Sequence, residues 1–349
     1  EKFINSVTND IYRRTGERVQ QVDIIGHSLG VTLVRQWMQQ ENAWHRVRHF
    51  IGACGANHGV WTARPDTRGQ NRIAAFELYP DSPWLEQLNR GGETPGPTRY
   101  MTLYDGTGWA DVLFPPWSKD SSALKGAHNL AYNLEHGTHY NHLELPRVPE
   151  TMDAMLKFLG DAPPAPLDHP APKLLREGST VSTDLTHARV HCAAGGDYPS
   201  RATPGSGSVV LQPEVLTTCF ALDTQTGLAS PMQRYKLPTS SGAGAQDALT
   251  VSASLPTGVY EDPVTVELKA NDPEAFIVYT TSGSIPNSGS PLYQKPVYVP
   301  GTLTLSAVAI APDGRMSTPL QLRYVISLEY QDAVHSLQRQ FDPAVEIAP

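Results

Sequence analysis

Val22-Asp23-Ile24-Ile25-Gly26-His27-Ser28-Leu29-Gly30-Val31 reads as a strand that turns into a helix around a serine. The opening residues are largely β-branched and apolar, which suits a buried strand. After the turn, Val31, Leu33, Val34, Trp37 and Met38 recur at helical spacing. A Gly-x-Ser-x-Gly placed on such a strand-to-helix turn is a nucleophile elbow. The reading puts glycine at both 26 and 30 because a side chain at either would collide with the neighbouring backbone. Ser28 is then presented at the top of the sheet, at a helix N-terminus.

Working outward, residues 1–160 alternate strand and helix. Strands are expected at 21–26, 47–53, 99–104 and 129–134, and helices at 3–15, 29–41, 82–89 and 148–159. Ser82 followed by Pro83 is a helix start, and Met152, Met155, Leu156 and Leu159 share one helical face. Such alternation predicts an α/β hydrolase: a parallel sheet flanked by helices. Only one helix precedes the elbow strand, where this architecture normally has at least two strands and a helix. The expectation is therefore an N-terminally truncated domain, with a preceding fragment as the partner that completes it. Residues 161–172 hold five prolines and form a stiff linker. Helical periodicity then stops. A small β-rich domain is expected at 173–240, a flexible break at 238–247, and a β-sandwich at 247–326. Its strands include Val264–Leu268, Phe276–Thr280, Leu303–Ile310 and Leu320–Ile326. The tail 327–349 carries an amphipathic patch from Tyr330 to Phe341 that could form a helix.

The bulk composition narrows the partners. The chain has 349 residues, a formal net charge of −8 and no basic run, so nucleic acid is an unsuitable partner. It has no apolar run long enough to span a membrane. Thirty prolines and 28 glycines with 18% charged residues imply many turns and much β structure. Of three cysteines, Cys54 ends an apolar strand and reads as a buried free thiol. Cys192 and Cys219 fall in one β-like segment, where a disulfide is expected and two unpaired core thiols are the alternative. The bond would imply an oxidising compartment.

A serine needs a base to take its proton, and the base needs an acid to hold it. In the α/β-hydrolase order these follow as acid, then histidine. The strand Tyr100–Tyr104 runs into a loop carrying Asp105 and Asp111. Asp105 sits directly before a glycine and suits turn capping, so Asp111 is preferred as the acid and Asp105 is kept as the alternative. The last loop carries His136, His139 and His142; His142, nearest the final helix, is the preferred base and His139 the alternative. Their spacing would also suit a metal, but only on a helix that Gly137 discourages, so neither metal nor cofactor is expected. The Leu29 N–H, directly after the nucleophile, is the expected oxyanion donor. The second donor would come from an earlier strand's loop that is not seen here, so the chain alone is expected to be nearly inactive. Trp61, Tyr79, Trp84, Trp109, Phe114 and Trp117 crowd these segments, with Trp109 and Phe114 the expected substrate walls beside Asp111.

With those residues in place, 1–160 resembles the small secreted bacterial lipases of the class 2 type and the related extracellular polyhydroxyalkanoate depolymerases. The resemblance rests on Gly26–Gly30, on Gly55-Ala-Asn-His-Gly59 where such lipases carry Thr-Pro-His-x-Gly, on Tyr104–Asp111, and on His142-Leu-Glu-Leu before the last helix. It implies a secreted serine carboxylester hydrolase with Ser28, Asp111 and His142 at the triad positions, acting on an ester or polyester. The stretch from His58 to Thr98 is longer than in the smallest members and could be a cap. Residues 247–326 resemble the chitobiase C-terminal-type domain through Tyr279–Pro286 and Ser290-Pro-Leu-Tyr293, with Ser282 where an aspartate is usual. The alternative, from a different class, is a catalytically inactive hydrolase scaffold that binds a polymer or surface. The presence of all three triad residue types in order favours the enzyme.

Overall fold

The computed structural model describes residues 2–61, 63, 77–108, 110–111, 121–162, 164–165, 169–238 and 248–327. The first part follows the order α1 (Lys2–Thr15), β1 (Val22–His27), α2 (Leu29–Gln40), β2 (Val47–Ala53), α3 (Pro83–Asn89), β3 (Arg99–Tyr104), β4 (His128–Ala131), α4 (Tyr132–His136) and α5 (Pro149–Gly160). The four strands pair in parallel in the order β1-β2-β3-β4. The apolar runs of β2 and β3 are buried almost throughout, as parallel strands covered on both faces should be. At α3, the Ser82 hydroxyl accepts from the Leu85 N–H and Pro83 opens the first turn, as the sequence predicts.

One element differs from expectation. The strand expected over 129–134 ends at Ala131, and a short helix follows at once. Asn133 explains the turn. Its buried amide donates to Asp105 Oδ1 and to the Tyr140 carbonyl, and its own oxygen accepts from Thr138 and from the Tyr140 N–H. An extended chain could not place all four partners around one side chain.

The middle part contains β5 (Leu174–Glu177), β6 (Thr180–Thr183), β7 (Ala188–Ala194), β8 (Gly205–Ser206), β9 (Ser208–Val210), β10 (Thr217–Asp223) and β11 (Gln233–Tyr235). They form two sheets, β11-β10-β7-β8 and β5-β6-β9. The last part contains β12 (Val251–Ala253), β13 (Gly258–Tyr260), β14 (Val264–Val266), β15 (Leu268–Ala270), β16 (Phe276–Thr280), β17 (Val297–Val299), β18 (Leu303–Ile310) and β19 (Leu320–Ile326). A four-stranded sheet, β13-β19-β18-β16, accompanies the pairs β12-β15 and β14-β17. The single strand expected at Val264–Leu268 is split at Glu267. There the backbone changes partner, exchanging hydrogen bonds with Ser254 instead of continuing beside β17. Val266, Leu268, Ile277, Tyr279, Leu305 and Tyr324 anchor the core of this part. The patch from Tyr330 to Phe341 lies outside the described residues.

The stretches on either side of the proline-rich segment share a core. Val31 and Met38 of α2, with Trp44, Phe50 and Tyr100, pack in one cluster with Tyr198, Phe220, Leu222 and Met232. The C-terminal end of α2 also meets the last part of the chain. Gln40 Oε1 accepts from the Thr281 N–H at 2.7 Å, and Glu41 Oε1 accepts from Ser284 Oγ at 2.7 Å. Asn42, in the left-handed region at φ 52°, donates to the Met232 carbonyl and to Asn287 Oδ1. Ser282 Oγ donates to the same Glu41 oxygen at 3.2 Å, so an aspartate at 282 would set two carboxylates against each other.

Cys192 and Cys219 face one another in register on β7 and β10 and form a disulfide, with Cα atoms 4.2 Å apart. Closing this loop restricts the unfolded chain by about 3–4 kcal/mol in the chain-entropy account. Cys54 is the free, buried thiol. Thiol titration of the denatured, unreduced protein should therefore give one thiol per chain, and native protein should react far more slowly; three thiols would exclude the bond. Among the described residues no helix is long and apolar enough to cross a membrane.

Candidate active site

The elbow is built by close packing around Val31. Ser28 holds φ 54° and ψ −128°, a strained conformation for a residue with a side chain. Its N–H donates to the Ala53 carbonyl at 2.9 Å, which ties the turn to the end of β2. A Cβ at Gly26 would lie 3.1 Å from the Val31 Cα, so the glycine there follows from close backbone approach. Gly30 corrects the sequence reading: a Cβ there would meet nothing within 4 Å. The crowding falls elsewhere, because Val31 leans onto the end of β2 and the residues just after it. A Cβ at Gly52 would lie 2.9 Å from Val31 Cγ1, and one at Gly55 would lie 2.6 Å from the same atom. Val31 is stiff about its first torsion and cannot swing aside. Gly55→Ala should therefore cost about 1–3 kcal/mol, seen as a lower midpoint in urea unfolding, whereas Gly30→Ala should be near neutral or stabilising.

As the first residue of α2, Leu29 has an N–H with no carbonyl to meet inside the helix, and the helix dipole places positive potential there. This is the position for which the oxyanion donor was expected.

The Asp105–Asp111 loop separates the two aspartates by task. Asp105 is buried and gathers the loop around itself. It accepts from the Thr107 N–H and hydroxyl, the Ala110 and Asp111 N–H groups, and the Asn133 amide. Burial alone would raise its pKa, but those hydrogen bonds to the carboxylate outweigh it and hold the group below its ordinary range. Asp111 is buried too, and its Oδ2 accepts from His142 Nδ1 at 2.8 Å. A carboxylate receiving that proton leaves Nε2 as the basic nitrogen of the ring.

Of the three loop histidines, only His142 is buried; His136 and His139 are exposed. Gly137, at φ 64°, ends α4 in the left-handed conformation and breaks the helix that would have aligned the three. They do not converge as metal ligands; among the described residues the converging sets are His27 with Cys54 and His142, and His169 with His187 and Asp223.

His27 is a site residue that the sequence reading did not single out. Its Nε2 donates to the His142 carbonyl at 3.0 Å, and the two rings lie 4.8 Å apart. It thereby locks the backbone of His142 to the residue before Ser28. The available signal was its place as the x in Gly-x-Ser. Cys54 lies under the same pair. Burial first, then the charges of Asp111 and Asp105, push its thiol far above the ordinary range, so it is an inert neighbour.

Behind the elbow, buried Arg35 on α2 donates to Asn57 Oδ1 at 3.0 Å and Asn89 Oδ1 at 2.8 Å. Asn57 in turn donates to the Ser122 carbonyl, and Ser122 to the Gly55 carbonyl. Arg35 thus fixes the segment 55–59 against the elbow helix. Of the aromatic residues, Trp61 is half exposed and packs edge-on against Tyr79. Trp109, Phe114 and Trp117 lie outside the described residues.

Residues 255–321 match the family model of the chitobiase/β-hexosaminidase C-terminal domain. No curated protein matches the chain. Among solved structures, the mature form of the Bacillus licheniformis lipase BlEst2 is similar at 17% identity, covering 45% of this chain and 71% of that one, with a TM-score of 0.34. The propeptide form of the same lipase is similar at 10% identity, covering 92% and 81%, with a TM-score of 0.30. The phospholipase PlaB from Legionella pneumophila, in complex with thio-NAD, is similar at 13% identity, covering 64% and 72%, with a TM-score of 0.27. Likeness at these levels says nothing of the reaction.

Proposed function

We propose that the chain carries the catalytic part of a secreted serine carboxylester hydrolase of α/β-hydrolase type, acting through Ser28, His142 and Asp111. The observation that carries this reading is the buried His142–Asp111 hydrogen bond, joined through His27 to a strained Ser28 on a strand-to-helix turn. In the proposed cycle His142 Nε2 takes the Ser28 proton as Oγ attacks the ester carbonyl. Asp111 holds Nδ1–H and stabilises the imidazolium. The Leu29 N–H faces the developing oxyanion. The tetrahedral intermediate collapses, the alcohol leaves with the proton from His142, and the acyl group stays on Ser28. Water activated by the same histidine then releases the acid. The disulfide and the chitobiase-type module support an extracellular setting.

The test is hydrolysis of a p-nitrophenyl ester series and of a polyester film by the full chain, beside its Ser28→Ala variant. Serine-dependent release that varies with acyl length supports the reading and ranks the substrates. Equal background rates from both proteins across the series overturn it.

A further inference from the structure

We propose that His169, His187 and Asp223 form a binding site for a divalent cation of the zinc class, clipping the proline-rich segment onto the sheet beside it. The site comes from three separate stretches of chain. His187 directly precedes β7 and Asp223 ends β10, which pair so that Asp223 lies opposite Ala188. The Thr224 hydroxyl donates to the His187 carbonyl at 2.7 Å and fixes that backbone beside Asp223. His169 comes from the 161–172 segment, where its carbonyl accepts from Gln20 Nε2 at 2.7 Å.

The ligand atoms converge without satisfying one another. His187 Nε2 is 3.2 Å from Asp223 Oδ2, and His169 Nδ1 is 3.9 Å from the same oxygen. All three lie within 4.8 Å of one another. Asp223 is fully buried; its Oδ1 accepts from the Gln225 and Thr226 N–H groups. Its Oδ2, and His187 Nε2, are buried with no hydrogen-bond partner among the described residues. A buried carboxylate oxygen in that condition is costly unless something cationic meets it.

Zinc bonds of about 2.0–2.2 Å in a tetrahedron separate ligand atoms by roughly 3.3–3.5 Å. The His187–Asp223 pair already has that spacing, and His169 has to close by about half an ångström, releasing its 3.3 Å contact with the Pro170 carbonyl. Two imidazole nitrogens and one carboxylate oxygen suit zinc rather than calcium or magnesium, which take oxygen ligands. A water molecule would complete four-coordination. His169 and His187 are each about one-third exposed, which leaves the ion a route in.

The experiment strips the full chain with a chelator, titrates it with Zn2+, and measures bound metal after desalting. One equivalent is expected. His169→Ala, His187→Ala and Asp223→Asn should each weaken binding by at least about 10- to 100-fold, more than loss of an outer-sphere partner alone. Asp223→Asn keeps the acceptor that caps the turn, and His169 lies in a linker, so at least these two should fold. Zn2+ should also raise the melting temperature of the wild type and leave that of His169→Ala unmoved. Because His27, Cys54 and His142 form the other converging set, the bound equivalent must persist in His142→Ala. Unchanged affinity in all three site variants, loss only in His142→Ala, or no binding at micromolar Zn2+ overturns the proposal.

Discussion

Replacing Ser28 by alanine is expected to lower kcat for ester hydrolysis by about 10^4–10^6-fold while leaving the fold intact. The size follows from the proposed cycle, in which every covalent step passes through Oγ. The retained fold follows from the packing. Contacts at the turn are made by Gly26, Val31, Gly52 and Gly55, and the Ser28 N–H bond to Ala53 survives the change. The measurement is steady-state hydrolysis of a p-nitrophenyl ester with circular dichroism of the same sample. Retention of more than a few per cent of wild-type activity would mean that another group is the nucleophile.

His142→Ala should match Ser28→Ala, because triad members act as a unit and their losses do not add. His139→Ala should change kcat by less than about threefold, since that ring is exposed and makes no contact with Asp111. The aspartates offer a sharper contrast. Asp111→Asn should lower kcat by about 10^4-fold with little change in stability, as a side chain that no longer fixes the histidine tautomer does. Asp105→Asn should do the reverse. Its carboxylate accepts from four backbone or side-chain groups in its own loop, and placing an amide donor there should cost about 1–3 kcal/mol. A large kcat loss at Asp105 or His139 with none at Asp111 or His142 would reverse the assignment.

The elbow was legible because strand, turn and helix are adjacent in the chain, and periodicity reports neighbours well. The cysteine pairing was legible because both residues sit in one β-like segment. The Asp105–Asp111 distinction was also within reach, since a carboxylate before Gly106 has an obvious local use. What could not be read were meetings between distant segments. Gly52 and Gly55 look like ordinary strand-end glycines until Val31 is packed on them. His27 looks like spacer until His142 arrives from more than a hundred residues away. The strand at Val264 seems continuous until its two halves find different partners. His169, His187 and Asp223 share no spacing at all, and only the pairing of β7 with β10 brings two of them together.

The helix that begins at the serine ends on the C-terminal module. Ser28 caps one end of α2, and Gln40 and Glu41 at the other end are held by Thr281 and Ser284. Twelve helical residues make a strut about 18 Å long. The module is therefore joined to the reactive centre by a lever and not by a string. Wherever that module comes to rest on an insoluble material, the distance and angle at which the serine is offered to it are set in advance. Lengthening the proline-rich segment would leave that presentation unchanged, whereas uncoupling Glu41 from Ser284 would let it drift.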